Sequence, residues 1–116
     1  MTETKEVELR AGLLENGQRH TLAVLREMTV ADVLDSRQPL QQAALLVNPS
    51  EDMIVLRQLA ARVLRIGSIE QPGEIKLKLL AFDDFGRLEA AAVEMDTALA
   101  GWISEKEKEQ ITKRGR

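Results

Sequence analysis

At 116 residues, 44% of them hydrophobic, the chain has the size of a single domain that can bury roughly two thirds of the surface its unfolded form exposes. The absence of cysteine excludes disulfides, thiolate nucleophiles and cysteine metal sites, and a single histidine would leave any zinc site leaning on carboxylates. A net charge of −3 with 30% charged residues gives a mixed surface without a general pull on nucleic acid, and no apolar run is long enough to cross a membrane or follows a basic start as a secretory signal would, so a cytoplasmic protein is expected.

Residues 5–27 predict a β-hairpin, because Asn16-Gly17 is the preferred pair for a two-residue turn with positive φ at both central positions. With Glu15 facing Gln18, strict pairing sets Leu13 against His20, Ala11 against Leu22, Leu9 against Val24 and Val7 against Arg26 on one largely apolar face. Thr29 and Asp32 then mark a helix start, followed by a short helix from about Val30 to Ser36. Beyond Pro39, the apolar run Leu40 to Val47 predicts a second helical piece, stopped by Asn48-Pro49.

Ser50 is expected to cap a helix from about Glu51 to Arg65, closed by Gly67. Its apolar stripe contains Met53, Val55, Leu56, Leu59, Ala60, Val63, Leu64 and Ile66, with Gln58, Arg62 and Arg65 on a solvated side and Ile54 outside the stripe as an exposed hydrophobe. After the turn Gln71-Pro72-Gly73, the alternation of Ile75, Leu77 and Leu79 with Lys76 and Lys78 suits either a strand or one helical turn, with helix preferred. Asp83 or Asp84 is expected to cap a helix from about Phe85 to Ile103 whose apolar residues Phe85, Leu88, Ala92, Met95, Leu99 and Trp102 recur at spacings of three and four, a narrow seam of the coiled-coil kind. Residues 104–116 alternate charges and read as a flexible tail. Aromatic residues make up only 3% of the chain, so the core must be aliphatic. The expected fold is α+β: one domain over residues 1–103, a β-hairpin at about 5–27 packed on a helical body at about 29–103, and a charged tail at 104–116.

The chemistry-bearing residues do not converge. His20 lies near a hairpin turn with no Ser, carboxylate or metal ligand implied beside it, and reads as an ordinary ribbon residue. Asp83 and Asp84 are adjacent, but consecutive residues at a helix start do not aim at one substrate as an acid and base pair must, so capping explains them better. The cations Arg57, Arg62 and Arg65 read as a solvated helix face. No phosphate loop, nucleophile elbow, HExxH pair or EF-hand loop occurs. Neither catalytic residues nor a cofactor or metal site are expected. Two apolar helix faces, an apolar ribbon face and the Leu45-Leu46-Val47 run instead exceed what a domain this small hides, which predicts a groove or a self-association surface. Ile54, Met95, Leu99 and Trp102 on the two long helices are the candidate partner contacts.

The order of segments carries a family resemblance. The ribbon with Asn16-Gly17 leads into Leu25-Arg26-Glu27-Met28-Thr29-Val30-Ala31-Asp32-Val33-Leu34. An apolar helix ending Leu64-Arg65-Ile66-Gly67 follows, and then Leu79-Leu80-Ala81-Phe82-Asp83-Asp84-Phe85-Gly86-Arg87-Leu88. Over about residues 5–98 this resembles the small tail assembly chaperones of tailed bacteriophages, particularly the Mu-like group. The resemblance implies a protein of the host bacterial cytoplasm, encoded by a phage or prophage, that binds the tape measure protein and keeps it soluble until the tail tube polymerises. The tail tube protein is a further implied contact. The alternative is a small dimeric adaptor or DNA-associated regulator, pairing through the seam of residues 85–102 and reaching DNA with Lys113, Arg114 and Arg116. The negative net charge and the lack of a recognition helix weigh against it.

Overall fold

A computed structural model describes the backbone of residues 3–114 and the side chains of residues 3–98 apart from Gln42. The fold is α+β. Strands β1 (Thr4–Glu15) and β2 (Gln18–Arg26) lead to helix α1 (Val30–Ser36), a small hairpin β3 (Leu40–Gln42) and β4 (Leu45–Val47), and helix α2 (Glu51–Arg62). Strands β5 (Val63–Ile66) and β6 (Ile69–Glu70), helix α3 (Gly73–Leu77) and helix α4 (Phe82–Arg114) complete the order. The main sheet is antiparallel with order β1-β2-β5-β6, while β3 and β4 form a separate two-stranded sheet.

The local signals for the hairpin and the first two helix starts hold. Asn16 and Gly17 adopt φ of 53° and 76°, the left-handed pair that a two-residue hairpin turn requires. Thr29 and Asp32 form a reciprocal capping box: the Thr29 hydroxyl accepts from the Asp32 N–H at 3.2 Å and the Asp32 carboxylate accepts from the Thr29 N–H at 2.8 Å. Ser50 caps α2 by accepting from the Met53 N–H.

Other expectations are corrected. The hairpin register matches at Leu13↔His20 and Glu15↔Gln18, but farther from the turn the pairs are Glu8↔Leu22, Val7↔Ala23 and Lys5↔Leu25. Leu9 to Gly12 therefore stand opposite Thr21 alone, a bulge of three extra residues. Because side chains alternate with period two, an odd offset exchanges the faces of β2. Ala23 and Leu25, both fully buried, join the core cluster, whereas Leu22 is exposed and Val24, though buried, lies outside that cluster.

The helix expected to reach Arg65 ends at Arg62, and Val63–Ile66 pairs with β2 as a strand. Gly67 turns β5 into β6 and does not close a helix. Residues 40–47 form the β3–β4 hairpin and not a helix. Residues 75–77 are helical, as preferred. Helix α4 begins at Phe82, ahead of the acidic pair, and its backbone stays helical to Arg114, past residue 103 where the sequence suggested a tail; Gly115 and Arg116 lie outside the described residues.

The core lies between the sheet and the helices α2, α3 and α4. It holds Leu9 and Leu13 from β1, Ala23 and Leu25 from β2, Leu59 from α2, Val63 and Ile66 from β5, Ile69 from β6, Leu77 from α3, and Leu88, Ala91, Ala92 and Met95 from α4. Helix α4 packs on β1, while α1 and α3 pack on α2.

Gly12 sits in the bulge at φ +62°, where an added Cβ would come within 1.8 Å of the His20 carbonyl oxygen. Gly86 lies within α4 with open space where its Cβ would be. Gly12→Ala is therefore expected to destabilise the fold by about 2–4 kcal/mol. Gly86→Ala is expected to stabilise it by about 0.5–1 kcal/mol through helix propensity. Equilibrium urea denaturation of both variants measures the contrast.

Candidate partner-binding surface

The surface begins with the clamp that fixes the start of α4. In the β1 bulge, the backbone N–H groups of Arg10, Ala11 and Gly12 converge on the Asp84 carboxylate at 2.7, 2.9 and 2.8 Å. Asp84 is completely buried. Its neighbour Asp83 accepts two bonds from the Arg10 guanidinium, at 2.6 and 2.9 Å. Two consecutive carboxylates thus hold one segment of β1, one through its main chain and the other through a side chain. The expected capping role is replaced by this long-range one.

These contacts set the protonation of both acids. Burial pushes the Asp84 carboxyl up, but the bonds from Gly12, Arg10 and Ala11 outweigh it and hold the group below the ordinary range. Hydrogen bonding from Arg10 lowers Asp83 to about 2. Asp32 behaves likewise: a forked bond from Arg26 at 2.7 and 2.9 Å holds it at about 2.

Arg62, expected on the solvated side of α2, is only 1% exposed. It donates to the Arg26 carbonyl and to both oxygens of Asp96 on α4, joining α2, β2 and α4. Arg57 donates to the carbonyls of Ser36 and Gln38 at the end of α1. Of the three cations read as a solvated face, Arg65 is exposed as expected.

His20 is structural. Its Nδ1 accepts from the Ser68 N–H at 3.3 Å, and its ring lies so close to Gly67 that a Cβ there would fall 2.5 Å from Nδ1. Among the described residues no group of three or more His, Cys, Asp or Glu side chains could hold a metal ion.

Of the candidate contacts on the long helices, the two whose side chains are described, Ile54 and Met95, are buried. Ile54 is 7% exposed, because α2 is covered by α1, α3 and α4 as well as meeting the sheet. Met95 is 8% exposed, packed in the core with its sulfur 3.9 Å from an Arg62 guanidinium nitrogen. The seam of α4 is core as far as Met95. The side chains of Leu99 and Trp102, and those of Lys113, Arg114 and Arg116, lie outside the described residues. A groove of about 150 Å³ does run between α2 and α4, lined by Met28, Val55, Leu59, Ala92 and Val93 among others.

Three exposed apolar side chains stand elsewhere, at the corner between α3 and α4. Phe82 is 92% exposed, Ile75 80% and Leu79 73%. Ile75 and Leu79 are one helical turn apart, with Leu77 between them turned into the core. Lys76 of α3 pairs with Glu15 at the end of β1, and the Asp83–Asp84 clamp pins the first turn of α4. The backbone is thus anchored on both sides of three apolar groups that point into water. In a helix, alternate apolar residues cannot all face one way, so helical spacing puts Leu77 opposite Ile75 and Leu79, a consequence the alternation alone did not draw.

The described residues thus form a two-layer α+β fold that carries an anchored apolar corner. Residues 9–116 match the family model described as tail assembly protein gp41 of Mu-like phage, and the chain belongs to that family. No curated protein and no solved structure matches the chain. Among the described residues, no helix is long and apolar enough to cross a membrane.

Removing the Asp84 carboxylate leaves three inward N–H groups without an acceptor. Asp84→Ala is expected to cost about 2–4 kcal/mol in urea denaturation, and Asp84→Asn, which keeps one acceptor oxygen, less. Asp32, Asp83 and Asp84 all have depressed folded-state pKa values. Their contribution to stability is therefore complete above the unfolded value of about 4 and is lost as pH falls through the depressed folded values, about 2 for Asp32 and Asp83. A denaturation series from neutral to acid pH measures this limb, and Asp84→Ala is expected to make it shallower.

Proposed function

We propose that this tail assembly protein is a chaperone that binds the phage tape measure protein in the host bacterial cytoplasm and keeps it soluble until the tail tube polymerises. The observation that carries the reading is the anchored corner at Ile75, Leu79 and Phe82. A tape measure chain is long and helix-rich, and its apolar stripes would aggregate before the tube encloses them. An apolar platform whose backbone is already fixed covers such a stripe with little ordering cost on its own side. The groove between α2 and α4 supplies a second place for one apolar side chain. Each contact is small, so many copies would share the long partner and each would leave when tube subunits compete for it. The tail tube protein is the natural competitor.

No covalent step is required in this mechanism, and no residue is assigned a catalytic role. The adaptor or DNA-associated alternative gains no specific observation, since the helical seam on which it relied is core as far as Met95.

Co-expression with the tape measure protein of the same genome, followed by pull-down and sizing, tests the reading. The long partner is expected to become soluble and to carry several copies of this chain. Phe82→Asp and Ile75→Asp, both at exposed positions, are expected to leave the melting temperature within a few degrees and to weaken retention of the partner about tenfold or more. An insoluble partner with this chain eluting alone would sink the proposal.

A further inference from the structure

The β3–β4 hairpin stands apart from both the core and the α3–α4 corner. Between Arg37 and Glu51 the sequence holds no charged residue, the longest such run in a chain of which 30% is charged. Two strands of three residues are joined through Ala43 at φ +54° and pair with no other strand among the described residues. Leu45, Leu46 and Val47 are 70%, 75% and 40% exposed. A lone two-stranded ribbon of this length is marginal in water, and an apolar edge invites another strand.

The main sheet shows how this fold treats edges that stay unpaired. β1 forms one margin and carries Lys5, Glu6, Glu8 and Arg10, is interrupted by the bulge, and has α4 packed against it. The other margin, β6, is two residues long. Charge, bulging and brevity all discourage pairing. β4 is short but has neither charge nor bulge.

In a two-residue hairpin the pair flanking the turn, here Gln42 and Leu45, exchanges both hydrogen bonds, so the next pair turns its N–H and C=O outward. The free edge of β4 therefore presents the main-chain groups of Leu46. We propose that this edge pairs with a second copy of the same chain. The two β4 strands run antiparallel about a twofold axis at Leu46 and give an intermolecular sheet of order β3-β4-β4-β3. The lack of charge selects this occupant. A twofold axis at Leu46 sets Leu46 against its own copy and Leu45 against Val47 of the second chain, so a charge at the axis would meet its like, whereas this edge meets itself with apolar side chains alone. An acidic or basic partner strand would find no complement here.

Sedimentation velocity of the purified chain over a wide concentration range tests the proposal without involving any tail component, so its outcome is independent of tape measure binding. Leu46→Pro removes the outward N–H, and Leu46→Lys places two ammonium groups opposite each other. Wild type is expected to dimerise with rising concentration, and both variants to raise the dimer Kd about tenfold or more with unchanged circular dichroism and melting. The chain lacks cysteine, so Leu46→Cys gives a single thiol. A directly opposed antiparallel pair brings Cα atoms to about 5.5 Å, within disulfide reach. Oxidation is expected to cross-link Leu46→Cys but not Leu34→Cys, another solvent-facing site, on α1. A chain that is monomeric throughout overturns the proposal. So does a dimer that survives both substitutions and fails to cross-link, since its interface then lies on another face.

Discussion

Three main-chain N–H groups of β1 point at one carboxylate, and the position of nearly everything else follows from that meeting. A bulge of three extra residues would leave its own N–H groups without strand partners, and Asp84 supplies both oxygens to them. The bulge in turn decides which face of β2 looks inward, so Ala23 and Leu25 enter the core. Asp84 also fixes the start of α4, and with it the approach of Leu88, Ala92 and Met95 to the sheet. A single buried acid therefore couples the register of the hairpin to the placement of the longest helix. The cost of burying its charge is offset because it gathers three main-chain donors.

The aliphatic core is supplemented by charges used internally. Arg62 is buried at the crossing of α2 with α4 and β2, and its bonds to Asp96 and the Arg26 carbonyl satisfy it. Arg26 in turn holds Asp32 in the capping box of α1. Breaking one partner of such a chain strands the others, which makes the arrangement specific even where it adds little net stability. With only 3% aromatic residues to fill space, orientation between elements is set here more by directed polar contacts than by large interlocking side chains.

What was legible in the sequence is what depends on neighbours along the chain. The Asn16-Gly17 turn, the Thr29–Asp32 box and the Ser50 cap are each complete within a few residues, and all three are found where they were read. What was not legible depends on distant partners. Val63 to Ile66 continues the helical stripe of α2 in spacing, and only pairing with β2 makes it a strand; its β-branched Val63 and Ile66 were the available hint. Leu40 to Val47 is too short an apolar run for periodicity to separate strand from helix. Asp84 occupies a position at which a capping acid is ordinary, so nothing nearby announces that its donors lie 72 to 74 residues earlier. For the binding surface, the excess of apolar groups was readable. Its place was not, because burial of Ile54 follows from the helices packed around α2, and burial of Met95 and exposure of Phe82 from how α4 is pinned.

The separation between Asp84 and its donors has a consequence for the order in which the protein is made. Chains leave the ribosome from the N-terminus at about 5–20 residues per second, so the β1–β2 hairpin, complete at Arg26, waits roughly 3–12 s before the acid that completes its bulge has been synthesised. During that interval the N–H groups of residues 10–12 must remain with water, and Leu9 and Leu13 have no helix to pack against. The fold therefore closes late, when the first turns of α4 emerge, and the hairpin spends its early life with its bulge unfilled.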